Sequence, residues 1–333
     1  MKFVSELRQD LVSGDWVVVA TGRAKRPHEF LKSKRQSLRQ VVRGCPFENL
    51  HEDALLVYAL DGKRGKENWW IQVVPNKYPA FGRGLCAIFE KVGPYQWTGG
   101  VGFHEVVVTR DHHRSIGEMT DGEVELVLRA YQERYLAVKG DACVQYVSIF
   151  HNHGREAGAT LYHPHSQIVA IPVIPPDFGR SLRGSAAYFH GAKTCVHCLE
   201  LRYELKTKKR LIYENDYFAV LAPFASKTAF EMRIFPKKHN PHFEAVNEKE
   251  RLALANALRV SLAKLHRGLK NPDYNFFIHT APVADSEEFH HYHWHLEILP
   301  KTAIWAGFEI GTGIEISTIA PESAAEFLRK IGV

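Results

Sequence analysis

The sequence predicts an α+β protein built from two similar units, and three observations carry that prediction. One order of strands and a helix runs twice along the 333 residues. Each run closes on a histidine-rich strand, His163-Pro-His165-Ser-Gln167 in the first and His291-Tyr-His293-Trp-His295 in the second. Hydrophobic residues make up 45% and charged residues 24%, the balance of a water-soluble globular chain.

In the first run an apolar strand is expected over residues 70–75, ending at Pro75. A second strand at 104–109 leads to Asp111-His112-His113. Val124, Leu126, Val127 and Tyr131 then recur at helical spacing, which predicts a helix over 121–136. A strand at 143–150, a glycine-rich turn and a strand at 163–172 complete the unit. The second run repeats the plan with strands at 217–223 and 230–236, the latter leading to Lys237-Lys238-His239. A helix over 248–266 follows, then strands at 274–278 and 291–300. The intervals agree as well: 51 positions separate His112 from His163, and 54 separate His239 from His293. Between the runs, Ile174-Pro-Pro-Asp and Arg180-Ser-Leu-Arg-Gly-Ser read as a linker. The expected domains are therefore 1–178 and 179–333.

Charge and composition narrow the function classes. The net charge of +6 and pI of about 8.9 are a mild basic excess spread over the chain. With no nucleic-acid module and no strong basic stripe, small phosphorylated substrates suit it better than nucleic acid. No run approaches the roughly 20 apolar residues of a membrane span. The N-terminus lacks the apolar core of a secretory signal, so a cytoplasmic protein is expected. Five cysteines, an odd number, do not suggest a disulfide framework. Cys86 and Cys143 read as core residues, while Cys195-Val-His-Cys198 is a C-x-x-C pair.

The first histidine strand carries the chemistry. Alternation places His163, His165 and Gln167 on one face, with Pro164 marking an edge or a strand end. Upstream lie Asn152-His-Gly154 and Gly158-Ala-Thr160, where small residues let backbone N–H groups approach an anion. A neutral imidazole is a good nucleophile toward phosphorus near pH 7. One ring nitrogen attacks while the other is held as N–H by an acceptor. Charge neutralisation and alignment by amides, Gln and Arg complete phosphoryl chemistry. A bare H-x-H could equally be a metal-binding or surface pair; the turn, Asn152 and Gln167 favour catalysis with His165 as nucleophile.

These residues resemble the signature of the galactose-1-phosphate uridylyltransferase family, the transferase branch of the histidine-triad superfamily. The likeness extends to Arg23-Ala-Lys-Arg26-Pro27, to Val74-Pro-Asn76-Lys-Tyr-Pro79, and to Gly307-Phe308-Glu309-Ile-Gly-Thr-Gly313. It implies two histidine-triad-like domains, each an antiparallel half-barrel-like sheet with flanking helices. It also implies a ping-pong reaction in which His165 takes UMP from UDP-glucose and passes it to galactose 1-phosphate. Gln167 would hold a phosphate oxygen, with Arg26, Asn152, Gly158 and Thr160 around the phosphates. Asn76 would face the nucleoside, and Phe308 and Glu309 the hexose. A homodimer that shares its active sites between subunits is implied too.

Zinc is the expected metal. Cys195 and Cys198 have the spacing of a zinc knuckle that His239 and His293 could complete, although a C-x-x-C alone could be a redox pair. The family's matching site in the first unit begins C-P-F-C, whereas this chain reads Cys45-Pro-Phe-Glu48. Cys45, Glu48, His112 and His163 are thus a second candidate set, with carboxylate in place of thiolate. His295 falls where repeat symmetry puts a nucleophile but lacks the glycine turn, and reads as structural or metal-adjacent. His279, His290 and His291 lie near the metal or the other subunit's site, or else on a solvated face. Two other functions stay open: an ADP-glucose or dinucleoside-polyphosphate phosphorylase of the same superfamily, and a non-catalytic zinc-stabilised nucleotide-binding module.

Overall fold

The computed structural model describes residues 5–23, 41–86, 89–283 and 288–333. A hairpin of β1 (Glu6–Gln9) and β2 (Trp16–Val19) opens the chain. The first half follows with β3 (Leu56–Ala59), β4 (Trp69–Pro75), the small hairpin β5 (Glu90–Val92) and β6 (Tyr95–Trp97), and β7 (Phe103–Thr109). Helix α1 (Asp121–Val138), β8 (Tyr146–His153) and β9 (His165–Ile171) complete it. Helices α2 (Pro176–Ala192) and α3 (Val196–Thr207) lead to β10 (Leu211–Glu214), β11 (Phe218–Leu221), β12 (Met232–Pro236), α4 (Glu248–Leu269), β13 (Tyr274–His279) and β14 (His295–Pro300). Helix α5 (Gly307–Thr312), β15 (Glu315–Ser317) and α6 (Pro321–Lys330) end the chain, with β15 parallel to β2.

Ten of these strands make one sheet in which every pairing is antiparallel. Its order from one edge to the centre is β3-β4-β7-β9-β8, and from the other edge β10-β11-β12-β14-β13. The halves meet where β8 pairs with β13, setting Asn152 opposite Asn275 and Phe150 opposite Phe277.

Alternation sorts the side chains of this sheet onto two faces. One face is the core: Ile71, Val107, Ile149, Ile168, Phe276 and Leu296 pack beneath α1 and α4. Each such buried apolar side chain contributes about 1.5–3 kcal/mol of transfer free energy. Both helices start in the same way. Thr120 accepts from Glu123 N–H at 3.2 Å while the Glu123 carboxylate accepts from Thr120 N–H at 2.7 Å. Asn247 and Glu250 repeat that exchange at 3.0 Å each way. These boxes satisfy amides that the first turn leaves without partners. The other face of the sheet carries His165, Gln167, Asn152, His279, His295 and Glu297.

Two expectations need correction and one alternative is decided. The stretch read as a linker is helix α2. Proline is tolerated in a first helical turn, and Pro176 and Asp177 occupy that turn. Gly184 in this stretch makes a close contact, since a Cβ there would lie 1.7 Å from the carbonyl oxygen of Val12. Pro164 marks a strand end but not an edge: β9 runs between β7 and β8, and its ladder starts one residue after the proline. Cys86 and Cys143 are joined as a disulfide, and Cys86 is exposed, so the pair is not core. It ties the loop after β4 to the turn after α1. No helix among the described residues is long and apolar enough to cross a membrane.

Candidate active site and metal-ligand clusters

His165 is the first residue of β9, which lies between β7 and β8. Its Nδ1–H donates to the His163 carbonyl at 2.8 Å. That bond assigns the proton to Nδ1 and leaves the lone pair on Nε2, the tautomer that a nucleophilic imidazole needs. Burial, only partly offset by that hydrogen bond, holds the ring's pKa below the usual imidazole value, and the neighbouring His163 pushes the same way. The Phe47 ring lies against it, with centroids 5.2 Å apart.

Two positions along β9, Gln167 lies on the same face. Its Oε1 accepts from His104 Nε2–H at 2.7 Å. His104 Nδ1 accepts the Ala80 backbone N–H at 3.1 Å. Asn76 stands at the end of β4, where its Oδ1 accepts Tyr78 N–H at 2.9 Å and its Nδ2 lies 2.9 Å from His104 Nε2. Sequence reasoning missed His104. The signal was available only through register: Val106 pairs with Gln167 and His104 with Val169, so His104 is a diagonal neighbour of Gln167.

The turn between β8 and β9 takes a shape that asks for glycine. Gly154 has φ +83° and Gly158 φ +89°, and Ala159 N–H closes the turn on the Gly154 carbonyl at 3.1 Å. The second half of the chain holds it from behind. Asn275 Nδ2 donates to both Asn152 Oδ1 and the Ala157 carbonyl, each at 2.7 Å. Asp273 Oδ2 accepts Glu156 N–H at 2.7 Å. Neither Asn275 nor Asp273 carried a sequence signal, because their role exists only once β13 pairs with β8. Thr160 and Gly158 line a cavity of about 820 Å³ shared with Arg43, Arg155 and Tyr162.

Not every expected residue is gathered here. Arg26 lies outside the described residues. Phe308 and Glu309 sit on α5, where Glu309 accepts the Ala306 N–H of its own helix at 3.0 Å. Phe308 is 49% exposed, as part of an apolar strip with Ile304, Trp305 and Ile310. Among the described residues neither makes a hydrogen bond or ring contact with His165.

Both expected ligand sets do come together. Cys195, Cys198, His239 and His293 bring four donor atoms within 4.8 Å of one another, and so do Cys45, Glu48, His112 and His163. In the first set Cys198 Sγ is 3.3 Å from His239 Nδ1 and 3.4 Å from His293 Nδ1. A tetrahedral zinc with ordinary S and N bond lengths has S–N edges of about 3.5 Å, so the donor set fits that ion. His239 Nε2–H donates to the His290 carbonyl at 2.9 Å, the outer bond that orients a ligating ring. In the other set Cys45 Sγ is 3.6 Å from His163 Nδ1. Glu48 Oε1 is 3.2 Å from the same nitrogen and also contacts His112 Nδ1. His163 Nε2–H donates to the Thr109 carbonyl at 2.6 Å. Glu48 thus takes the place a second cysteine would occupy. His163 turns toward this cluster and not toward the face of His165, because it precedes the strand whose alternation it was expected to follow.

The equivalent place in the second half is filled. His295 Nδ1 faces the His293 carbonyl at 3.2 Å, as His165 faces His163. His295 is only 5% exposed, packed by Phe235 and His197. Glu297, where the first half has Gln167, is held by His279 at 2.9 Å and by Arg233 at 3.3 Å. Burial works against this carboxylate, but the Arg233 guanidinium keeps its pKa well below the usual range. An ion network stands where the first half keeps an amide. His279 therefore belongs to this network, whereas the His290 carbonyl supports the metal cluster.

Residues 96–330 match the family described as "Domain of unknown function (DUF4921)". ADP-glucose phosphorylase of Arabidopsis thaliana is 33% identical over 98% of this chain and 93% of its own. Galactose-1-phosphate uridylyltransferase of Thermotoga maritima is 27% identical over 98% of this chain and 99% of its own. The crystal structure of the Arabidopsis ADP-glucose phosphorylase with bound ADP-glucose gives a TM-score of 0.82 at 32% identity, covering 99% of this chain and 100% of that one. The fold is the mixed α/β arrangement of those structures, a large antiparallel sheet with helices, and the chain is an enzyme of the nucleotidyltransferase class. It belongs to the DUF4921 family, and its relatives are galactose-1-phosphate uridylyltransferases and an ADP-glucose phosphorylase, the group that the sequence resembles.

Proposed function

We propose that this enzyme transfers a nucleoside monophosphate from a nucleotide sugar through a covalent nucleotidyl group on His165 Nε2, with ADP-glucose as donor and inorganic phosphate as acceptor. The observation that carries the mechanism is the 2.8 Å bond from His165 Nδ1–H to the His163 carbonyl, which leaves Nε2 unprotonated. The 33% identity to the ADP-glucose phosphorylase over nearly the whole of both chains supports the choice of donor.

In the first step Nε2 attacks the α-phosphorus, the P–N bond forms, and the P–O bond to glucose 1-phosphate breaks. In the second, a phosphate oxygen attacks the same phosphorus and the P–N bond breaks, giving ADP and restoring the imidazole. Gln167 donates its amide to a phosphoryl oxygen, while Asn152, Gly158 and Thr160 surround the phosphates. Asn76 faces the nucleoside.

The uridylyl reading, UDP-glucose with galactose 1-phosphate as acceptor, is the second proposal. The Thermotoga relative, aligned over 99% of its length, supports it. Phe308 and Glu309 reach the sugar phosphate of a partner subunit in a homodimer, a reading supported by the exposed apolar strip on their segment. Zinc held by Cys195, Cys198, His239 and His293, and by Cys45, Glu48, His112 and His163, supplies structural cross-links. The mirrored strand order supports two repeated domains, 1–178 and 179–333. The proposed place of action is the cytoplasm.

Intact-protein mass spectrometry after mixing with ADP-glucose or UDP-glucose, and no acceptor, tests both donors. An adenylyl adduct absent from His165→Gly is the expected result. A uridylyl adduct alone moves the function to the second reading. No adduct on a folded, metal-loaded enzyme refutes the covalent mechanism.

A further inference from the structure

The Gln167 carboxamide has two ends of similar shape and opposite chemistry. Only the NH₂ end can donate to a phosphoryl oxygen; the carbonyl turned that way would repel it. What chooses between them lies on the neighbouring strand, where His104 Nε2 stands 2.7 Å from Gln167 Oε1. An imidazole nitrogen selects a carbonyl only if it carries the proton, and the bond at the other ring nitrogen decides that. Ala80 N–H donates to His104 Nδ1 at 3.1 Å, so the proton sits on Nε2. Turning the Gln167 amide over would set its NH₂ against that N–H, replacing a hydrogen bond by a donor–donor contact. Asn76 Nδ2, also a donor, stands 2.9 Å from the same nitrogen; the ring can serve either that NH₂ or Gln167 Oε1, and the Ala80 bond at Nδ1 assigns Nε2–H to Gln167.

We infer that His104 is a positioning residue: it fixes the Gln167 amide with NH₂ toward the phosphoryl group at His165, and it links that orientation to the loop at residues 76–80. Ala80 N–H sets the tautomer, the tautomer sets the amide, and the amide meets the reacting phosphate. The inference deepens the proposed function and rests on it.

The test is the single-turnover rate of adduct formation on His165, followed by rapid quenching and intact mass, across a range of donor nucleotide sugar. His104→Leu is expected to slow the saturating rate roughly tenfold, the scale of one neutral hydrogen bond, with the half-saturating donor concentration changed less than about twofold. His104→Gln places an amide NH₂ near the former Nε2 and is expected to recover most of the rate. His104→Asn, whose shorter side chain reaches only the Nδ1 position, is expected to remain slow. It also serves if the leucine variant fails to fold. The deciding comparison is made in Gln167→Ala, where His104→Leu or His104→Asn should add no more than about twofold, because no amide remains to be oriented. A further tenfold loss in that background overturns the inference, as do equal rates for His104→Asn and His104→Gln. If the wild-type enzyme forms no adduct, the proposed function fails first and this inference fails with it; a normal wild-type adduct separates the two.

Discussion

Two glycines in the turn between β8 and β9 share a left-handed backbone but differ in what a methyl group would strike. At Gly158 a Cβ would meet only Asn152 Nδ2, at 3.8 Å. At Gly154 it would lie 2.2 Å from both Cγ and Oδ1 of Asp273, inside any allowed contact. Gly158→Ala should therefore cost only the left-handed strain, about 1–2 kcal/mol. Gly154→Ala carries the same strain and must also displace Asp273, breaking the 2.7 Å bond from Glu156 N–H to Oδ2. A hydrogen bond to a charged group contributes about 1.5–3 kcal/mol, so Gly154→Ala should cost about 2.5–5 kcal/mol in all. Urea unfolding of the two variants under identical metal loading measures the difference. In an Asp273→Ala background the extra cost at Gly154 should vanish, leaving the two alanine variants equal. Gly154→Ala should also slow adduct formation on His165, since Glu156 and Ala157 move with the turn. Equal stability loss at the two glycines in the wild-type background would refute the idea that Asp273 seats this turn.

Other expected outcomes concern the metals, the buried charges and the thiols. Cys198→Ser should lower bound zinc by about one equivalent and lower the melting temperature more than the turnover of enzyme still folded; full zinc content in that variant would remove the cluster reading. Glu231 is fully buried, and burial pushes its carboxyl pKa up to about 8, with Arg233 opposing and Glu297 reinforcing. A raised pKa stabilises the fold below the unfolded carboxyl value and loses that contribution as pH rises toward 8. Glu231→Gln should thus gain stability relative to wild type between about pH 5 and pH 8, on the order of 2 kcal/mol; a flat difference in urea midpoints across that window would count against it. Thiol labelling of the unfolded, unreduced, metal-free protein should find three free cysteines, Cys45, Cys195 and Cys198, and five would show that the Cys86–Cys143 bond does not form.

Much of the site was legible in one dimension because its residues are close in sequence. His165 and Gln167 share a strand face by simple alternation, and the φ-positive glycines that shape the turn lie within 13 residues of them. The candidate set Cys195, Cys198, His239 and His293 could be paired from spacing and the repeat, whereas Cys45 and Glu48 entered through the resemblance to a family whose first site begins C-P-F-C. Helices α1 and α4 were visible through their periodicity, which reports a single apolar face against a sheet. The linker reading failed because composition cannot tell a flexible glycine from one that lets a helix touch Val12. The disulfide was missed because neither cysteine carries a local mark of its partner, 57 positions away.

What the sequence by itself determined was local: a candidate nucleophile and an amide on one strand face, a glycine-rich turn beside them and two sets of candidate metal donors. Register and long-range pairing were decided only by the tertiary structure. Placing Val106 opposite Gln167 brought His104 within reach of the amide, and joining β8 to β13 put Asn275 and Asp273 behind the turn. The same packing closed the second histidine strand, burying His295 beside Phe235 and tying Glu297 to Arg233. Side-chain alternation is a property of consecutive residues and can be read along a chain. Which strand lies beside which depends on the free energy of the whole sheet and its covering helices, and that sum has no local signature.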